Sequence, residues 1–178
     1  MKKFGLSLLL MAIMVLVTGC GSNSPSVPKI EVTKKFRLND VKLNLSQLVQ
    51  TKITYHTREE LESILKSKII EILKKKKLLS NDGKMDALAI NVNYQRRFVG
   101  DKTPIASDSL AYPNYSYTIK ILKGNKLIGS IKKDNLTFKG GFTMNLQIIA
   151  GTLRDKKYEL EFIEALANAI VNDIESLN

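Results

Sequence analysis

A single cysteine, Cys20, is the only thiol in this chain. One thiol closes no intramolecular disulfide, so the fold must be held by packing alone. The 178 residues are enough for one domain with a sizeable core. Cys20 also ends a distinctive segment. Lys2 and Lys3 precede an uncharged run from Phe4 to Val17, and Thr18 and Gly19 lead into the cysteine. That run is shorter than the roughly 20 apolar residues that span a bilayer, and it fits the apolar stretch of a cleaved signal.

Val17-Thr18-Gly19-Cys20, placed after that run, resembles a bacterial lipobox. The resemblance covers residues 1–20 and implies cleavage after Gly19, with residues 1–19 as signal peptide. It further implies a diacylglyceryl thioether and an N-acyl chain, palmitate in type, on Cys20. One acyl chain holds a bilayer only marginally, at about 0.8 kcal/mol per buried methylene, so several chains give a firm anchor. The following residue is Gly21 rather than aspartate. By resemblance to Gram-negative sorting signals this implies the outer membrane, with the domain facing the periplasm. Residues 20–29 then form the lipidated terminus and a Ser- and Pro-rich linker, leaving residues 30–178 as a single domain. Residues 21–29 reach about 30 Å when fully extended, which keeps the domain close to its membrane.

The net charge is +11, from 28 Lys and Arg against 17 Asp and Glu. In a cytoplasmic chain this would point to nucleic acid. The export signal removes that partner. It leaves anionic envelope components: phospholipid head groups, lipopolysaccharide phosphates, peptidoglycan carboxylates or an acidic protein.

The periodicities predict an α+β fold. Ile30 to Leu48 reads as extended, with a turn or bulge at Asn39-Asp40. Thr57-Arg58-Glu59-Glu60 is a capping box. The helix that follows carries Leu61, Ile64, Leu65, Ile69, Ile72 and Leu73 on one face and should run to about Leu79, stopped by Asn81-Asp82-Gly83. Leu88, Ile90, Val92, Tyr94 and Phe98 alternate with polar residues or alanine in a clear strand. A long loop is expected from about Gly100 to Asn114. Two strands then flank a turn at Gly124-Asn125. Phe142 to Leu153 fits either a strand or a helix, with Gly151 against an uninterrupted helix. A final helix, capped by Asp155, carries Leu160, Ile163, Leu166, Ala167, Ile170, Ile174 and Leu177. The order β-α-β-β-β-α predicts an antiparallel sheet of about four strands, packed on one face by two helices and polar on the other. That order is similar to small envelope lipoprotein domains, among them the lipopolysaccharide-assembly lipoprotein and the amino-terminal domain of the Tol-system propeller protein. Element order alone implies nothing about activity.

Catalytic chemistry finds little support. His56 is the only histidine, and no nucleophile elbow or free thiol accompanies it. It is expected on the surface at the helix start. Too few His and Cys are present for a zinc site, and no cofactor motif occurs. Glu159, Glu161 and Glu164 suggest a solvated helix face. The candidate partner contacts are Lys74, Lys75, Lys76 and Lys77, the densest charge, together with Arg96, Arg97, Tyr112 and Tyr115. Arg96 stands where the strand pattern calls for an apolar residue. It is expected either at a sheet edge with its head in water or paired with Asp101 or Asp108. Tyr112 and Tyr115 are expected as exposed aromatic surface on the loop. The expected role is a non-enzymatic binding or assembly accessory held at the membrane through acylated Cys20. The rival is an envelope hydrolase acting on peptidoglycan or lipid through paired carboxylates.

Overall fold

The computed structural model describes residues 31–178. Cys20, the signal-like segment and the linker through residue 30 lie outside the described residues. Four strands, β1 (Phe36–Gln47), β2 (Asp86–Phe98), β3 (Leu110–Lys123) and β4 (Lys126–Thr137), form one sheet in the order β1-β2-β3-β4. The helices are α1 (Arg58–Lys75), α2 (Phe142–Ile149) and α3 (Lys157–Glu175).

The α+β class and the order of the main elements are as expected, with two corrections. The sheet is mixed, because β1 and β2 pair in parallel and the other neighbours are antiparallel. The cause is α1, which carries the chain back along the sheet between β1 and β2, and such a crossover returns the next strand in the same direction. The register of β1 slips between Leu38 and Asp40, at the Asn39-Asp40 irregularity expected from sequence. The second correction is a third helix, α2, over the ambiguous stretch. Its Met144 and Ile148, four residues apart, pack inward, and Gly151 at φ 64 separates it from α3.

Local chemistry sets the element ends. Thr57 accepts a hydrogen bond from the Glu60 N–H at 3.2 Å, and Glu60 accepts one from the Thr57 N–H at 2.7 Å, completing the capping box. The helix stops earlier than the sequence suggests. Lys77 takes a left-handed φ of 58, and the Leu78 N–H donates back to the Leu73 carbonyl at 2.8 Å. Glycine usually fills such a position, because a side chain costs about 1–2 kcal/mol there. Asn81-Asp82-Gly83 instead lies in the link to β2. The Gly124-Asn125 turn joins β3 to β4 as expected, with Gly124 at φ 60. The loop before β3 is shorter than expected, since β3 begins at Leu110. Asp155 accepts from the Lys157 N–H at 2.8 Å, in the turn that starts α3.

One face of the sheet is the core. Leu88, Ile90, Val92 and Tyr94 of β2 meet Leu61, Leu65, Ile69 and Leu73 of α1 and Ile163, Leu166, Ile170 and Ile174 of α3, all but sealed from solvent. A second cluster closes one end of the sheet, where Tyr55, Phe98, Leu110, Leu153 and Phe162 are buried beneath α2. The outer edge of β1 is partly covered: Glu62 of α1 accepts from the Leu43 N–H at 2.8 Å. Leu65 is 0% exposed, so Leu65→Ala should lower unfolding free energy by about 2–5 kcal/mol in urea titration. Thr57→Ala, which removes only the cap, should cost about 1 kcal/mol in the same assay.

Candidate functional site

The residues singled out from sequence separate into three environments. Arg96 is 5% exposed on β2, an interior strand, and not at a sheet edge. Its Nε donates to Glu159 Oε1 at 2.6 Å, its Nη1 to Gln47 Oε1 at 2.9 Å and its Nη2 to the His56 carbonyl at 2.5 Å. Its guanidinium also lies 5.5 Å from the Tyr55 ring centroid. It pairs with neither Asp101 nor Asp108. Glu159 is 0% exposed and not part of a solvated helix face. Its Oε2 accepts from the His56 N–H at 3.0 Å and lies 3.0 Å from His56 Nδ1. His56 is therefore buried rather than on the surface. Arg96, Glu159 and His56 bind β2, the first turn of α3 and the residue before the α1 cap into one network. A charged residue within an apolar alternation was the sequence sign of this network. Nothing in the sequence indicated that Glu159 was its partner.

Arg97 faces the other way and forms a two-pronged ion pair with Asp101, through Nε to Oδ2 and through Nη2 to Oδ1 at 2.7 Å. Hydrogen bonds from Arg97, then the Phe98 N–H and the charges of Arg97 and Lys102, hold the Asp101 carboxyl below the usual range. Tyr112 and Tyr115 are on β3, not on a loop, and both are half-buried. The Tyr112 ring packs on Phe138 and Phe162 while its hydroxyl donates to Asn145 Oδ1 at 2.5 Å. Tyr115 stacks on Tyr117, and burial raises its pKa. Burial, followed by the charges of Glu159 and Asp108, pushes the nearby Tyr55 hydroxyl up to about 12.

The lysines remain on the surface. Lys74, Lys75 and Lys77 are exposed, and Lys76 pairs with Glu175 of α3 at 2.7 Å. The topology groups them with further cations. Phe36 at the start of β1 donates its N–H to the Leu78 carbonyl, just beyond Lys77. Ala87 at the start of β2 pairs with Leu122 at the end of β3, and Lys123 faces Lys126 across the hairpin. The starts of β1, β2 and β4 and the end of α1 therefore share one end of the sheet. Exposed Lys34, Lys35 and Lys84 lie there too. The chain is fixed at this end by a reciprocal clamp: the Thr33 N–H donates to Asp86 Oδ2 at 2.8 Å, and the Asp86 N–H donates to Thr33 Oγ1 at 3.0 Å.

The far end and the open face differ chemically. On α2, Phe142 and Ile149 are 77% and 80% exposed, with Leu146 between them, which leaves an apolar stripe on the outer side of that helix. The open face is polar and amide-rich, as the alternation predicts. Asn44 donates to Asn91 and Asn93 across β1 and β2, Asn93 donates to Ser116, and Asn114 donates to Gln95. Two depressions lie here, one lined by Ser46, Asn93, Gln95 and Asn114, the other by Asp40, Lys42, Asn91, Thr118 and Lys120. Among the described residues no group of three or more His, Cys, Asp or Glu is arranged to hold a metal, and no helix is long and apolar enough to cross a membrane.

No protein-family model and no curated protein matches the chain. Among solved structures it is similar to a minor lipoprotein from Acinetobacter baumannii, at 18% identity over 80% of this chain and 93% of that one, with a TM-score of 0.44. It is also similar to rare lipoprotein B from Shewanella oneidensis, at 16% identity over 78% and 95% of the two chains, with a TM-score of 0.32. These likenesses are too distant to transfer an activity.

Removing one partner of the buried network strands the other's charge. Arg96→Ala should therefore destabilise the protein by about 3–5 kcal/mol in chemical denaturation. Asp101 acts through pH. Because its folded pKa is depressed, its pairing stabilises the fold fully above the ordinary aspartate value of about 4 and is lost as pH falls through the lower folded value. Asp101→Asn should lower stability at pH 7 and flatten the acid limb of a urea-midpoint profile below about pH 4.

Proposed function

We propose that this chain is a membrane-anchored envelope lipoprotein acting as a non-enzymatic binding or assembly accessory. Acyl chains on Cys20 would hold it to the outer membrane, facing the periplasm. The observation that carries the reading is positional. The described chain enters the fold at its lysine-rich end, where the clamp between Thr33 and Asp86 fixes its first residues to the start of β2. Between Cys20 and Glu31 the chain spans at most about 40 Å when fully extended. That distance is comparable to the length of the sheet itself, about 40 Å for the 12 residues of β1. An anchor on Cys20 thus keeps the basic end within about one sheet length of the bilayer.

The placement of the ionisable groups supports a binding role over a hydrolytic one. Glu159 and His56, which would be natural acid and base candidates, are sealed in the interior and engaged with Arg96 and the backbone. Asp101 is engaged with Arg97. Neither carboxylate opens into the depressions of the polar face, where the acid present is Asp40, paired with Lys42 at 3.5 Å and without a second acid beside it.

The anchor is tested by metabolic labelling with a palmitate analogue in a Gram-negative host, followed by membrane fractionation. The native chain should take up label and shorten by the mass of residues 1–19. Cys20→Ser should take up none and remain unprocessed. Label on the serine variant, or a native chain that stays unlabelled in the soluble fraction, would overturn the reading.

A further inference from the structure

The lysine end has a geometry that the sequence did not reveal. Lys74, Lys75 and Lys77 are consecutive or nearly so along the chain, but Lys123 and Lys126 come from the β3–β4 hairpin and join them only through the fold. Three strand spacings separate β1 from β4, about 14 Å. The cations are therefore spread across the whole end of the sheet rather than along one helix. Most exposed acids near this end already hold a lysine: Glu175 holds Lys76, Glu71 holds Lys68 and the half-buried Asp173 holds Lys133, which leaves Glu31 beside the chain start and Asp82 in the link before β2. Lys77 adds a separate indication. It occupies the left-handed position that closes α1, where glycine would be unstrained. A cation thus stands at a site where backbone geometry favours a residue without a side chain.

We propose that this end is a docking surface for the anionic phospholipid head groups of the bilayer that holds the anchor. The inference rests on the anchored reading, because a connection of at most about 40 Å to Cys20 keeps an anionic bilayer constantly within reach of this end. Ammonium groups on flexible stems suit such a surface. They meet phosphates as point charges without fixed geometry, and each contributes about a five-fold gain in partitioning near an anionic membrane. The α2 stripe lies at the opposite end of the sheet. A domain standing on its lysine end would hold that stripe about 40 Å from the head groups.

The test uses the processed, acylated protein co-reconstituted with two vesicle populations that can be separated, one of phosphatidylcholine and one containing phosphatidylglycerol. The acyl chains contribute equally to both, so the partition ratio reports the protein surface. The ratio should favour anionic vesicles, fall with added salt, and drop about six-hundred-fold in the Lys74→Gln/Lys75→Gln/Lys77→Gln/Lys126→Gln variant. Amine-reactive footprinting of the unsubstituted protein on anionic vesicles gives a second readout that needs no variant. Lys74, Lys75, Lys77, Lys123 and Lys126 should be protected, while exposed Lys66 in the middle of α1 and exposed Lys139 just after β4 stay reactive. Equal partitioning between the vesicles, or protection confined to the open face or α2, would overturn the docking surface. A protein that leaves phosphatidylcholine vesicles when these are offered alone would overturn the anchor instead.

Discussion

Burying Glu159 constrains the rest of this molecule. A carboxylate taken fully out of water is tolerated only where donors surround it, and here three nitrogens from two places in the chain do so. Arg96 supplies one from β2, and His56 supplies a backbone N–H and a ring nitrogen from the residue just before the α1 cap. Arg96 in turn donates from Nη1 to Gln47 at the end of β1 and from Nη2 to the His56 carbonyl. The starts of α1 and α3 are thus set against β2 at one end of the sheet. Apolar packing along the helices has no comparable directionality, since leucine and isoleucine faces tolerate sliding that a buried ion pair does not. The position of Glu159 in the first turn of α3 adds the favourable end of the helix dipole.

Much of the architecture was legible in the sequence, because it rests on periodicity. The capping box at Thr57, the apolar face of α1, the alternation of β2 and the glycine-led hairpin turn are all local patterns. What escaped was non-local. Strand direction depends on what connects two neighbours, and an 18-residue helix between β1 and β2 makes a parallel return the natural outcome. α2 was ambiguous because its apolar residues face two environments: Met144 and Ile148 toward Phe162 and its neighbours, Phe142 and Ile149 toward solvent. Of the candidate contacts, sequence reasoning correctly marked Arg96 as anomalous and then placed it in the wrong medium. One-dimensional patterning identifies a charge at a core position, but the carboxylate that justifies it lies 63 residues away. The lysines were legible as a run of four, while their union with the hairpin lysines was not, because only the sheet order brings them together.

The resulting molecule is polar in the vectorial sense. One end gathers ammonium groups around the incoming chain, the other is capped by aromatic packing and an outward apolar stripe, and the broad face between them is a lattice of amides. The amides partly satisfy one another across neighbouring strands, which stiffens the exposed face and limits the hydrogen-bonding capacity it offers to solvent.

The parallel pairing of β1 with β2 also orders events in time. β2, β3 and β4 form a meander of short connections, so they can assemble from neighbouring chain segments. Phe36 must instead find Asp86, fifty positions along, with α1 laid between them. Closing that loop costs more chain entropy than turning the β3–β4 hairpin, and chains rich in such distant contacts fold more slowly than those built from local ones. β1, though made before β2, therefore cannot settle until β2 has been made. Until β2 exists and α1 has formed its turns, β1 is an apolar strand without a partner, and this immature interval is when the chain is most open to chaperone capture or misassociation.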